Sequence, residues 1–177
     1  MPDALDLLVP SIESGSLTDL SMEQLRARRA DLQATEQALS YVRRLVQGRL
    51  DIVLDERAHR AAGDSARDLS ALVADLPKIL SEHVAGAGRG ALPPVALPER
   101  DLDAVVASVD HIIDADRLGA MTDLTPEALN GAADSLAELE RRVSRHRRAL
   151  HGLIDALQEE IVRRYKSGEA SVDALLR

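Results

Sequence analysis

The chain has 177 residues, enough for one domain, with a formal charge of −8 and no cysteine. That balance argues against direct DNA binding. The missing thiols exclude disulfides, thiolate metal sites and cysteine nucleophiles, and fit a reducing, cytoplasmic setting. With no Trp or Phe, and only Tyr41 and Tyr165 as aromatics, Leu, Val, Ile and Ala must pack the core; 29% charged residues add to a composition that points to long helices rather than a thick globule.

The opening MPDALDLLVPSIESG is acidic, its apolar run is too short for a signal peptide, and no stretch of the chain is long enough to span a bilayer. A first long helix is predicted over 18–59, with Ser21 as N-cap and Glu23 in the acid-favouring first turn. Ala61-Ala62-Gly63-Asp64 reads as a break. A second helical stretch, 68–84, contains Pro77, which either kinks it or starts a new helix. AGAGRGALPPVALPER, 85–100, has no period and reads as a linker. A short helix follows over 101–116, with Leu102, Val105, Val106, Val109, Ile112 and Ile113 on its apolar side. A last long helix is predicted over 125–166, with Thr125 as N-cap, Pro126 at the first helical position and Gly168 as its stop. No segment alternates as a strand does.

The two long helices are copies of one unit. Residues 17–56 match 121–160 without a gap, at a fixed offset of 104. LTDLSMEQL lies over MTDLTPEAL, and identities continue at Leu32/Leu136, Glu36/Glu140, Ser40/Ser144, Arg43/Arg147, Arg44/Arg148, Gly48/Gly152, Asp51/Asp155 and Glu56/Glu160. Each copy carries a coiled-coil seam: Leu32, Leu39, Val46 and Val53 in the first, Leu136, Val143, Leu150 and Leu157 in the second. The expected fold is all-α, a two-helix coiled coil built from the internal repeat with shorter accessory helices. A chain holding both copies needs no second chain, so a monomer is expected when free.

Most identities in the repeat are polar, unlike those of a repeat kept only for packing. The first copy reads Glu36-x3-Ser40-x2-Arg43-x3-Gln47-x3-Asp51, and the second Glu140-x3-Ser144-x2-Arg147-x3-His151-x3-Asp155. On a helix each set spans an arc of roughly 80° and a length of roughly 22 Å, beside the apolar seam. The residue types suit a guanine nucleotide. A carboxylate accepts from guanine N1–H and its exocyclic amine, and an arginine fork matches guanine O6/N7 or a phosphate. Arg44 and Arg148 flank the stripe. From Glu140 to Asp155 there are five Arg against two acids, a local excess of +3 in an acidic chain.

The paired E-x3-S-x2-R-x3-Q-x3-D motif, with the flanking SYVRRLVQGRLDIV, resembles the RsiG family, the cyclic-di-GMP-responsive anti-sigma factors of actinobacteria that act on the WhiG-type sigma factor. An Arg to Lys ratio of twenty to two, as in GC-rich coding, fits such a host. The resemblance implies an intercalated cyclic-di-GMP dimer held by one motif per helix, and a loaded form that sequesters the sigma factor and represses transcription. One departure is that His151 stands where the first motif has Gln47; imidazole still offers one hydrogen bond. A two-fold ligand dimer is matched by helices related by a two-fold across their axes, which makes them antiparallel.

Other functions fit less well. His146 sits on the seam as a partly buried core residue. His151 and Asp155, four apart, lack a third metal ligand. There is no Gly-rich phosphate loop, nucleophile elbow or enclosed catalytic carboxylate pair, so no enzymatic activity is expected. The alternative to a nucleotide-gated regulator is a nucleotide-independent coiled-coil adaptor whose polar stripe contacts a protein partner.

Overall fold

Two helix starts with full caps set the architecture. In the computed structural model, which describes residues 17–63, 69–84 and 99–169, α1 runs Met22–Ala61. The Ser21 hydroxyl accepts from the Gln24 backbone N–H at 3.1 Å, and the Gln24 side chain accepts from the Ser21 N–H at 2.7 Å. This reciprocal box satisfies two donors that a helix start leaves open. The last helix begins with Thr125 accepting from Ala128 N–H at 3.2 Å and Pro126 in the first turn; it ends at Gly168, whose φ of 77° is the left-handed stop. A 3-10 turn precedes each long helix, Leu17–Asp19 and Met121–Asp123.

Between the long helices lie α2 (Leu69–Val84), α3 (Glu99–Ile112) and α4 (Ala115–Gly119); α5 is Pro126–Ser167. The described residues are helical with no strand. The 85–100 linker falls, for residues 85–98, outside the described residues, as do the opening fifteen residues and Asp64 of the predicted break.

Two boundaries differ from the sequence expectation. The helix predicted over 101–116 ends at Ile112, because the Asp114 side chain accepts from Arg117 N–H at 2.8 Å and caps a new short helix. Such a cap satisfies a donor that a continuing helix would use itself. Pro77 does not divide the second stretch: α2 continues through it. The missing N–H leaves one carbonyl without its helical partner, and Pro77 and Val73 are on the exposed side, where water can serve that carbonyl.

α1 and α5 pack antiparallel. Arg26 meets Tyr165, Arg43 meets Glu140, and Arg60 meets Leu124, so the partner number falls along α5 as the position rises along α1. All eight seam residues are at most 2% exposed. Each such Leu or Val contributes roughly 1.5–3 kcal/mol through burial. Val42 and Leu139 are buried as well, whereas Thr35, Arg49, His146 and Leu153 are half-buried. A two-helix pair leaves two long grooves, and α3 fills one of them. Its Val105 and Val109, and Ile113 just past its end, are fully buried, and Arg49 of α1 donates to the Ile113 carbonyl at 2.7 Å and to Asp110 at 2.5 Å. On the α5 side, Ser108 and Ile112 share a cleft with Ser135 and Glu138. Arg49, Ser135 and Glu138 sit on the flank opposite the polar stripe, taking about 100° per residue. α2 packs on α1: Leu72 is buried, and Leu80 lies against Gly48, where an added Cβ would meet it at 3.8 Å.

Candidate functional site

The groove that α3 does not fill is lined by the repeated polar residues. Each motif reaches across it to the other. Arg43 Nε of α1 donates to Glu140 Oε1 of α5 at 3.1 Å, and Arg147 Nη2 of α5 donates to Glu36 Oε1 of α1 at 2.8 Å. Gln47 reaches Glu140 at 3.5 Å, and His151 Nε2 reaches Glu36 at 3.4 Å. Within each helix the serine one turn on donates to the same carboxylate, Ser40 to Glu36 at 2.7 Å and Ser144 to Glu140 at 2.8 Å. Adding the repeat offset and exchanging the helices turns every one of these contacts into another of them. The site is therefore two-fold, with its dyad passing near Ser40 and Ser144.

Eight of the ten residues singled out from the sequence meet here: Glu36, Ser40, Arg43, Gln47, Glu140, Ser144, Arg147 and His151. The other two stand further along the groove. Because the helices run antiparallel, Asp51 and Asp155 lie a turn beyond Gln47 and His151, about 6 Å further out at opposite ends of the groove. Asp51 is half-buried and Asp155 exposed. Arg44 and Arg148 are exposed beside the stripe.

The charges at the centre balance, two glutamates against two arginines. Burial pushes the Glu36 carboxyl up, but hydrogen bonds from Arg147 and Ser40 and the charges of Arg147 and His151 outweigh it and hold it below the usual carboxylate range. Glu36 is thus a ready acceptor at neutral pH. All the bonds named above fall on Oε1 of each carboxylate; the second oxygen carries none of them. Among the described residues no three His, Asp or Glu side chains converge in a way that could hold a metal ion, and no helix is long and apolar enough to cross a membrane.

A second set of polar residues fixes this geometry from the ends of the pair. Arg164, near the end of α5, takes Glu160 Oε1 at 2.7 Å through Nε and reaches the turn before α1, donating to Leu20 O at 2.5 Å, Leu17 O at 2.9 Å and Thr18 O at 3.0 Å. Arg60, at the end of α1, takes Glu56 at 2.7 Å and donates to Leu124 O at 2.7 Å, Met121 O at 2.8 Å and Thr122 O at 3.3 Å. These clamps are also related by the offset. They tie the C-terminal end of each helix to the turn that starts the other, which sets the register of the two stripes. Glu56 is 1% exposed, so its charge relies on Arg60. The Arg163 and Arg164 guanidiniums hold the Glu160 carboxyl far down, at about 2. Four residues beyond Glu56/Glu160, Arg60/Arg164 is one more identity of the repeat, and it is the mark that these clamps leave in the sequence.

One protein-family description, RsiG-like, matches residues 12–80 and 115–177, which takes in both long helices and most of α2 and passes over α3. No curated protein matches the chain.

Proposed function

We propose, on the premise that this chain belongs to the RsiG-like family, that it is an anti-sigma-factor-type regulator gated by cyclic-di-GMP. In this reading the nucleotide binds the open groove as an intercalated dimer, and the loaded form sequesters a WhiG-type sigma factor. The observation that carries it is the exchange of partners across the groove, Arg43 with Glu140 and Arg147 with Glu36. A two-fold site suits a two-fold ligand dimer. Each half offers a carboxylate for a guanine N1–H and amine and an arginine fork for O6/N7 or a phosphate. Gln47 and His151 each add one hydrogen bond, and Asp51 and Asp155 serve the outer ends of the stack. Arg44 and Arg148 supply charge for the phosphates without disturbing the central pairs.

Gating follows from linkage. A nucleotide that straddles both helices holds them in the register that the sigma factor meets, so each ligand tightens the other by the same factor. A surface already ordered by the nucleotide lowers the ordering cost of the second binding event.

One observation favours a second reading. Both central carboxylates are already paired with arginines, so the cluster can serve as a polar lock on the seam of a nucleotide-independent adaptor. Capture of the purified sigma factor on the immobilised chain, with and without cyclic-di-GMP, separates the two. Gating predicts capture that rises with nucleotide. Equal capture in both conditions supports the adaptor, and capture in neither removes the sigma factor as partner.

A further inference from the structure

The open groove is two-fold at its centre but not at its ends. The stripe positions 36, 40, 43, 47 and 51 continue in the same three-and-four steps to 54, 58 and 61 on α1; on α5 the equivalent series continues to 158, 162 and 165. The α5 series ends on Tyr165. Its ring is half-buried against the core, the Arg26 guanidinium lies 5.8 Å from the ring centroid, and Arg26 donates to the phenolic oxygen. At the other end the repeat places Ala61 where Tyr165 stands, and Asn130 where Arg26 stands. There Leu54, Ala58 and Ala61 of α1, with Pro126, Leu129 and Asn130 of α5, line an open notch of about 560 Å³. Its lining is mostly apolar, Leu54 is 42% exposed, and Arg57 and Arg60 complete it, Arg60 being the residue already held by the clamp with Glu56.

We infer that this notch receives an aromatic side chain, tyrosine or phenylalanine, from the protein partner that covers the loaded groove. The inference rests on the regulatory reading above. The occupant is argued from the molecule itself, because at the equivalent place the same helix pair is completed by a tyrosine ring under an arginine. Arg57 is the cation positioned to play that part here. Leu54, Ala58 and Ala61 continue the face of α1 that carries the stripe, so a partner that follows this face beyond the ligand meets the notch next. A two-fold platform carrying a two-fold ligand offers an asymmetric partner two equivalent orientations. Filling one end with Tyr165 and leaving the other open selects one of them.

The test fills the notch with the molecule's own solution, Ala61→Tyr with Asn130→Arg, and uses the WhiG-type sigma factor as probe at saturating cyclic-di-GMP. Sigma capture should weaken at least tenfold, because buried aromatic anchors dominate such interfaces, while nucleotide affinity by calorimetry stays within twofold. Ala58→Arg, a substitution at an exposed helical position, blocks the same notch and decides the matter if the double variant fails to fold. Undiminished capture by a folded, blocked variant overturns the inference and leaves the regulatory reading standing. Failure of the unmodified chain to capture the sigma factor defeats that reading, and the inference with it. Light scattering that shows the unmodified chain as a dimer and the filled variant as a monomer also overturns it, since the occupant is then a second copy.

Discussion

The two grooves of one helix pair have been put to opposite uses. The back groove is filled and its centre is apolar: Val105 and Val109 of α3, and Ile113 just past its end, are fully buried in it. The front groove is polar and open, with its central side chains paired across the dyad. The repeat produces equivalent flanks on both helices, yet only the front is two-fold in its chemistry, because a single α3 cannot be. Stability is thus concentrated at the back, where burial is cheap to arrange with aliphatic residues. The front can keep charged groups facing a ligand without carrying the fold. Each substitution below should move one property and leave the other nearly still.

The largest effect should come from the back. Ile113→Ala should cost about 2–5 kcal/mol of stability in denaturant melts, while nucleotide affinity of the folded protein changes less than about threefold. A large loss of affinity at unchanged stability would mean that α3 shapes the ligand site. The front should respond in the opposite way. Arg43→Ala removes a charge-assisted bond and should weaken cyclic-di-GMP by about 1.5–3 kcal/mol, roughly tenfold to a hundredfold. Its side chain is 35% exposed, so stability should fall by no more than about 1 kcal/mol.

Acid should act on both the front and the clamps. Glu36 and Glu160 titrate below their ordinary value of 4.5 in the folded chain, Glu160 at about 2. A depressed carboxylate contributes stability that is complete above its unfolded pKa and is lost as pH falls through its folded pKa. The melting temperature should therefore hold from neutral pH to about 5 and drop from about 4.5 toward 2. Glu160→Gln should flatten part of that drop. The smallest effect is expected at His151→Gln, which makes the two motifs alike. His151 and Gln47 reach their glutamates at 3.4 and 3.5 Å, so affinity should shift by no more than about threefold, roughly 0.7 kcal/mol.

How far the sequence discloses this molecule depends on whether an interaction leaves a mark on side-chain types. The seam does, through Leu32, Leu39, Val46 and their copies, and the caps do, through Ser21, Thr125, Pro126 and Gly168. The stripe was legible as a repeated set, because four of its five polar types recur at the same spacing. Its pairing was not, since nothing in either copy alone says that Arg43 will face Glu140 rather than Glu36. That follows only from the antiparallel register, which also carries Asp51 and Asp155 away from the centre. The clamps were harder to see. Arg60 and Arg164 bind backbone carbonyls, and a carbonyl has no signature in the sequence. The end of α3 turned on Asp114, one capping residue inside a continuous apolar pattern. Both Ala61 and Tyr165 could be read from the sequence, but their difference acquires meaning only once the helices are paired.

Titration calorimetry of cyclic-di-GMP into the isolated chain, together with light scattering on the same sample, tests the central claim most directly. A monomeric chain should bind two nucleotides, and Arg43→Ala and Arg147→Ala should each reduce affinity tenfold or more, because the dyad makes their roles equivalent. No heat of binding and no rise in melting temperature with excess nucleotide, or affinity unchanged in both variants, would contradict it.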